Sequence, residues 1–568
     1  MFTRNHASCW PAALVVALLF ATGSMAGAAT QQDDPRSRAV DALFAQFDRP
    51  GSPGAAVGIY HAGRAVYTHA YGHAELEHAV PMTSQTIFNA ASVSKQFTAF
   101  AIALLAREGK VNLDADIRTY LPYVPDFGHA ITVRHLLHHT SGLRTSELLF
   151  ELGGQDLRGV LHSQQVVNMV ARQRALNFEP GAEFLYCNTG YSLLAEIVAA
   201  VSGQSFRQFT TQRIFQPLRM THSFFYDDVT EIVPGRAQSY ERSEDGSRWL
   251  RSVENYDIIG ATGLMTSVED MLKWAANFTR PVVGDRALIE QMAEGGKLND
   301  GESINYGFGL RRQRFAGHEA WTHTGSSAGY AAMFAYFPGR DFAVVVLANT
   351  ASDQVEPAEA IADLYLNGAH EPRPPPDAIE PEAAVVSAAA GRYMSEFGPM
   401  VTLVREGNTL LWQQVGSEPE RLTFRADGAF GLGNDASAYY RFMRGAAGQV
   451  EGFERITAGS GHTQSRHRRV IPAKPSAAEL ADLAGSYFSP ELDITYTFTL
   501  EAGRLAARSI WSVEPIVFTP GIADRFDSPH WTMGTIVFVR DARGRVNGLR
   551  VHADGIRDVL LRRVPAQP

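Results

Sequence analysis

A serine and a lysine three residues apart are the first pair in this chain able to do chemistry. They lie in Phe88-Asn89-Ala90-Ala91-Ser92-Val93-Ser94-Lys95-Gln96-Phe97, where a spacing of three puts both side chains on one face of a helix. A hydroxyl attacks a carbonyl only when a base takes its proton, and an ammonium in apolar surroundings gives up its own proton more easily. An isolated Ser-x-x-Lys is most often a capping serine beside a surface lysine. Here no other charged residue occurs from Ser92 to Ala106, so Lys95 stands alone in a stretch that reads as buried helix. The start of that helix adds free N–H groups, including that of Ser92, which can face a developing oxyanion.

Two further segments offer partners. Glu179-Pro180-Gly181-Ala182-Glu183-Phe184-Leu185-Tyr186-Cys187-Asn188-Thr189-Gly190-Tyr191 reads as extended chain before a helix starting near Tyr191. Tyr186 and Asn188 then point the same way into a cleft, and Cys187 points into the fold. Trp321-Thr322-His323-Thr324-Gly325-Ser326-Ser327-Ala328-Gly329-Tyr330 is polar and rich in small residues, which let a substrate backbone lie close. His323 by itself reads first as a structural imidazole.

These segments need elements to hold them. Strands at Ala55–Tyr60 and Ala65–His69 flank a turn, and Tyr330–Phe337 and Phe342–Asn349 flank Pro338-Gly339-Arg340-Asp341, so one hairpin opens the domain and another closes it. Helices are expected over Ser92–Glu108, Val133–His139 and Tyr191–Val201, each stopping at a glycine. A catalytic domain is expected over 32–368, followed by a stiff Pro-rich linker over 369–385. Beyond it the chain repeats itself. Ala390-Gly391-Arg392-Tyr393 returns as Ala484-Gly485-Ser486-Tyr487, and Val450-Glu451-Gly452-Phe453 as Val546-Asn547-Gly548-Leu549. Two β modules, 386–471 and 479–568, are therefore expected.

Arg4, the apolar run Ala12–Phe20 and Ala26-Gly27-Ala28 make residues 1–28 read as a signal peptide, which places the protein in the periplasm or medium. Cleavage would remove Cys9 and leave Cys187 as the sole cysteine, so stability must come from packing. A net charge of −9 and the lack of basic clusters argue against nucleic acid as a partner. No later run is apolar enough to span a membrane. The expected partner is a small molecule or short peptide. His135, His138 and His139 have helical spacing but no acidic or Cys ligand nearby, and no phosphate-loop motif occurs, so no metal or cofactor is expected.

Taken together, Ser92-x-x-Lys95, Tyr186-x-Asn188 and His323-Thr324-Gly325 resemble, in type and order, the motifs of the serine β-lactamase and penicillin-binding-protein superfamily. His138-His139-Thr140-Ser141-Gly142, Gly260-Ala261-Thr262-Gly263-Leu264 and Tyr306-Gly307-Phe308-Gly309 are similar to recurring segments of its class C β-lactamase-like branch. The resemblance implies an α/β sandwich of an antiparallel sheet and a helical subdomain, followed by two small antiparallel, lipocalin-like β-barrels as in D-aminopeptidase-like members. It implies an acyl-enzyme on Ser92, proton exchange by Lys95 and Tyr186, and an oxyanion hole from the N–H groups of Ser92 and Ser326. Substrate contacts would come from Asn188, His323, Thr324 and Gly325. The departure is His323, where β-lactamases and carboxypeptidases place a lysine that meets the substrate carboxylate. That favours a peptidase, amidase or esterase over a β-lactamase or D-Ala-D-Ala carboxypeptidase. A non-catalytic binder of cell-wall fragments is the rival from another class. The resemblance also implies a loop from the last module at the active-site mouth, for which 511–531 is the candidate.

Overall fold

The computed structural model describes residues 34–351, 355–368, 378–433, 438–457 and 463–565. The expected signal peptide and the first half of the expected linker lie outside these residues. Both ends of the first domain contribute to one antiparallel sheet, as the family resemblance implies. Its strands are β1 (Ala55–His61), β2 (Arg64–Tyr71), β3 (Arg311–Phe315), β4 (His318–Ser327), β5 (Tyr330–Phe337) and β6 (Phe342–Ala348), in the order β3-β4-β5-β6-β1-β2. Every residue of β5 and β6 is buried, the pattern of strands covered on both faces.

The helices used below are α1 (Pro35–Leu43), α2 (Ser94–Arg107), α3 (Ser146–Leu152), α4 (Asn188–Ser202), α5 (Val268–Thr279) and α6 (Val355–Leu366). Val40, Ile361 and Ala362 from α1 and α6 pack with Val57, Ile59, Val344 and Val346 on one face of the sheet. On the other face α5 lies so close that a Cβ at Gly58 would come within 2.8 Å of Val268. Behind α5 sits α2, buried on every side from Ser94 to Leu105, as a central helix is. It begins two residues later than the sequence pattern implies, because Ala91–Val93 form a tight 3-10 turn first.

The C-terminal region holds two barrels. Eight strands between Gly391 and Arg469 close on themselves through pairing of 420–425 with 429–432. The second sheet, Gly485 to Arg563, is nearly closed, its end strands Ile516–Val517 and Thr519–Pro520 lying side by side in sequence but unpaired. The sequence repeat is a structural one. Tyr393 donates to the carbonyl of Ala389 with Arg469 over its ring, and Tyr487 donates to that of Leu483 with Arg563 over its ring. The latter half of the expected linker joins the first barrel, as the short strand Ala378–Ile379 and the start of helix Ala383–Ala389.

The second barrel is fused to the catalytic layer. Leu492, Ile494 and Tyr496 belong to the same apolar cluster as α2 and α4, whereas the first barrel keeps its own core. Arg144 and Glu491 form a buried ion pair in which one guanidinium nitrogen, Nη1, donates to both carboxylate oxygens at 2.8 and 2.9 Å, with side chains 1% and 7% exposed. Arg144 also donates to the carbonyls of Arg557 and Asp558. Removing one partner strands the other charge in the interior, so Glu491→Ala is expected to cost about 3–5 kcal/mol. Arg144→Met/Glu491→Leu, which removes both charges, is expected to cost much less. Urea-unfolding midpoints of the two variants check this.

The segment 511–531 packs against α3 and the chain that follows it. Trp511 packs on Gly154 and the indole of Trp531 donates to Glu151 at 2.7 Å, beyond the middle of α3. The element that reaches toward Tyr186 is the Asp554–Gly555 hairpin turn. Gly555 accepts from the Thr145 N–H and the Asn177 amide, and Arg557 forms a bidentate pair with Glu183, three residues before Tyr186. Aromatic, Pro and Gly content marks an exposed loop, but docking here is decided by backbone groups and two arginines that composition does not reveal.

Candidate active site

The nucleophile turn is held from several sides. Ala91 has φ +48°, a conformation L-residues avoid, and its N–H is met by Asn89 Oδ1 at 2.7 Å. The Ala90 N–H donates to Leu264, and Leu264 N–H donates to Ser94 Oγ. Across the turn lies β4. A Cβ at Gly325 would fall 2.4 Å from the Ala90 carbonyl and 3.2 Å from the Ser92 nitrogen, so only glycine lets strand and turn approach this closely. Gly309, at φ +74°, does the same behind Lys95, where a Cβ would lie 2.6 Å from the lysine's own backbone.

The Lys95 ammonium is fully buried. It donates to Ser92 Oγ at 3.0 Å and to the Ala261 carbonyl at 2.7 Å, and it faces the rings of Tyr186 and Tyr191 at 4.9 and 5.7 Å. Burial drives its pKa down from 10.5 to about 7, against an opposing pull from the Glu147 carboxylate. Burial pushes the Tyr186 phenol well above the ordinary value, partly offset by the neighbouring Ser92 hydroxyl. Near neutral pH the two groups therefore differ in state. Lysine is poised to accept a proton, and tyrosine holds one.

Cys187 caps α4 in an extended conformation, buried, with its thiol on the Leu143 carbonyl. Asn188 is already the first residue of α4, three positions before the sequence pattern starts it. Its Oδ1 is buried and has no partner among the described residues, an acceptor left for something outside the chain.

His323 is buried and neutral, its pKa lowered to about 3 first by burial and then by the Lys95 charge. Its Nδ1 donates to the Thr324 carbonyl at 2.6 Å and its Nε2 accepts from the Tyr306 hydroxyl at 2.9 Å. Both ring nitrogens are thus used internally, which leaves neither charge nor donor for a carboxylate. Thr324 and Ser326 alternate with it and are exposed. β3 pairs with β4 only as far as Thr322, so the edge from His323 to Ser327 faces the cleft rather than another strand.

The three clustered histidines do separate work. His135 Nδ1 accepts from the Thr132 N–H in a helix cap, and His138 Nδ1 meets the Tyr306 carbonyl. His139 brackets Tyr186: its carbonyl accepts from the Leu185 N–H, its Nδ1 accepts from the Cys187 N–H at 3.0 Å, and its ring lies 4.3 Å from the tyrosine ring.

Sequence reasoning missed His139 as a holder of Tyr186, the Ala261 carbonyl as the acceptor for Lys95, and Glu147, in the first turn of α3. The Glu147 carboxylate acts on Lys95, Tyr186 and Tyr256 together. The Gly260-Ala261-Thr262-Gly263 segment was visible as a motif, but its role needed the fold.

A family model described as Beta-lactamase matches residues 40–367, more than half of the chain. A D-aminopeptidase of Gluconobacter oxydans is 30% identical over 325 residues, a match spanning 57% of this chain and 60% of that protein. A D-aminopeptidase of Brucella melitensis is 24% identical over 515 residues, 88% of this chain and 93% of that one, so the likeness runs through both barrels. Among solved structures, the octameric penicillin-binding protein homologue from Pyrococcus abyssi superposes with a TM-score of 0.54 at 24% identity, covering 76% of this chain and 99% of that chain. With Ser92, Lys95 and Tyr186 brought together as described, the chain is a serine hydrolase of the β-lactamase family, with the layout of its D-aminopeptidase-like members.

Proposed function

We propose that the chain is an exported aminopeptidase-type hydrolase, which releases the N-terminal residue of a short peptide or amino-acid amide through an acyl-enzyme on Ser92. The observation that carries this reading is the buried Lys95 ammonium 3.0 Å from Ser92 Oγ, with its pKa near neutrality. Neutral Lys95 takes the Ser92 proton as Oγ attacks the carbonyl carbon. The oxyanion forms against the N–H groups of Ser92 and Ser326. Tyr186, still a phenol, delivers a proton to the leaving amine and recovers it from Lys95. Asn188 Oδ1 accepts a substrate N–H, and Thr324 and Gly325 border the substrate along the open edge of β4. Water then hydrolyses the ester by the same proton path and releases the acid.

Glu147 supports the amino-terminal preference. A carboxylate whose charge acts on both Lys95 and Tyr186 is the group that would hold a substrate α-ammonium, and the uncharged His323 gives no counter-ion to the carboxylate of a β-lactam or a C-terminal residue. The names carried by the two relatives favour D-amino acids. Arg4, the Ala12–Phe20 run and Ala26-Gly27-Ala28 support export to the periplasm or medium.

The test is turnover of D- and L-alanine p-nitroanilides, p-nitrophenyl acetate and nitrocefin by the same preparation. Fastest turnover of the D-anilide is expected. Preferred turnover of nitrocefin would replace this reading with a β-lactamase, and turnover of none of the four would favour the binding-protein rival. Glu147→Gln is expected to raise KM for the D-anilide roughly 10- to 100-fold, the worth of one charge-assisted hydrogen bond, and to leave p-nitrophenyl acetate within twofold. Parallel KM measurements check it.

A further inference from the structure

Glu254 is a buried carboxylate that the mechanism above does not use, its side chain 1% exposed. It follows the hairpin strand Trp249–Arg251 and lies under the active site, where it joins two elements otherwise distant in the chain. Asn89 Nδ2 donates to both of its oxygens at 2.6 Å, and Ser327 Oγ donates to Oε1 at 2.9 Å. Asn89 uses its other amide atom, Oδ1, to accept the Ala91 N–H at 2.7 Å. A continuous chain of hydrogen bonds thus runs from Ala91, next to the nucleophile, through Asn89 and Glu254 to Ser327, next to Ser326.

The direction of each bond in this chain is forced. An ionised carboxylate only accepts, so it turns the Asn89 NH2 toward itself and leaves the amide oxygen for the Ala91 N–H. That N–H belongs to a non-glycine residue at φ +48°, which needs such support to stay there. At the other end Ser327 is also met by the Tyr256 hydroxyl, and the Glu254 charge is faced by Arg236 at 3.5 Å, whose guanidinium lies over the rings of Tyr226 and Tyr330.

We propose that Glu254 is a positioning residue that sets the separation of the Ser92 and Ser326 N–H groups and so shapes the oxyanion hole, which rests on the acyl-enzyme reading above. Donors in such a hole act only if they lie at hydrogen-bond distance from the place where charge develops. The turn carrying Ser92 and the strand carrying Ser326 are not covalent neighbours, and Glu254 spans them through one side chain on each.

The test uses the full-length chain and a polarity swap. Glu254→Gln presents an NH2 where Asn89 also donates. The Asn89 Nδ2, which donates to both carboxylate oxygens, then keeps at most one acceptor and faces the new NH2, so the amide is pushed off its place or turns over and abandons Ala91. A loss of about 10- to 100-fold in kcat is expected, with KM changed less than threefold and an equal loss of affinity for a boronic acid that mimics the tetrahedral state. Asn89→Asp/Glu254→Gln restores the chain with donors and acceptors exchanged, since the aspartate accepts from Ala91 with one oxygen and from the new Gln amide with the other. This double variant is expected to recover kcat to within about threefold of wild type. A Glu254→Gln enzyme with kcat within twofold of wild type, or a double variant no better than the single one, overturns the proposal. If Glu254→Gln does not fold, Ser327→Ala serves in its place, with an expected three- to tenfold loss in kcat and boronate affinity; no loss overturns it. Wild type is run first with a fluorophosphonate probe. Failure of Ser92 to label would defeat the acyl-enzyme reading itself, whereas labelling with an unaffected Glu254→Gln defeats only this inference.

Discussion

Lys95→Met is expected to lower kcat by about 10³- to 10⁵-fold while making the folded protein more stable at neutral pH. The loss follows from its proposed role as the base: removing a positioned proton acceptor costs about 10²–10⁴, and members of one catalytic set fail together. The gain in stability follows from burial. Its folded pKa of about 7 lies below the 10.5 of the free side chain, so between those pH values the folded protein holds fewer protons than the unfolded chain. The penalty for burying the ammonium is therefore present in full below pH 7 and is relieved as pH rises toward 10.5. A methionine of similar length has no such penalty, and a gain on the order of 1–3 kcal/mol at pH 7 is expected. Thermal unfolding at pH 6, 7.5 and 9 should show wild type gaining on the variant as pH rises. The same titration sets the acid limb of activity, with kcat/KM of wild type rising through an apparent pKa near 7. A surface lysine would show neither effect.

Ser92→Ala is expected to remove about 10⁵–10⁶ in kcat, because no other hydroxyl in the described site sits 3.0 Å from the Lys95 ammonium. The change deletes one oxygen from a partly exposed residue, so folding and Lys95 burial should survive. Binding of the D-anilide, read from competition with a non-hydrolysable amide, should stay within threefold. The turn is fixed through Ala90, Ala91 and Gly325 rather than through the hydroxyl.

Much of this could be read from the letters alone, where chemistry and periodicity agreed. A lone lysine among fourteen uncharged residues implied a buried ammonium, and hairpins were legible at both ends of the domain, while their meeting in one sheet came from the family resemblance. The Gly-x-Tyr repeat implied two like β modules, and in the structure Tyr393 and Tyr487 hold matching places. What could not be read depends on distance across the fold. Glu147, Glu254 and His139 are single letters with no motif of their own, and each gains meaning only from what the turn at Ala91, the start of α4 and the edge of β4 bring beside it. The left-handed Ala91 gives no signal either, since alanine is not a residue that marks positive φ. The docking turn at Asp554–Gly555 looks like any hairpin, and its contact with Asn177 and Thr145 is made largely by backbone atoms.

The most direct test of the central claim is intact-protein mass spectrometry of the full chain and of Ser92→Ala after exposure to a fluorophosphonate, beside turnover of D-alanine p-nitroanilide. A single adduct that maps to Ser92, with adduct and turnover both absent in Ser92→Ala, is the predicted result. An adduct on another residue, or undiminished turnover by Ser92→Ala, would contradict the account.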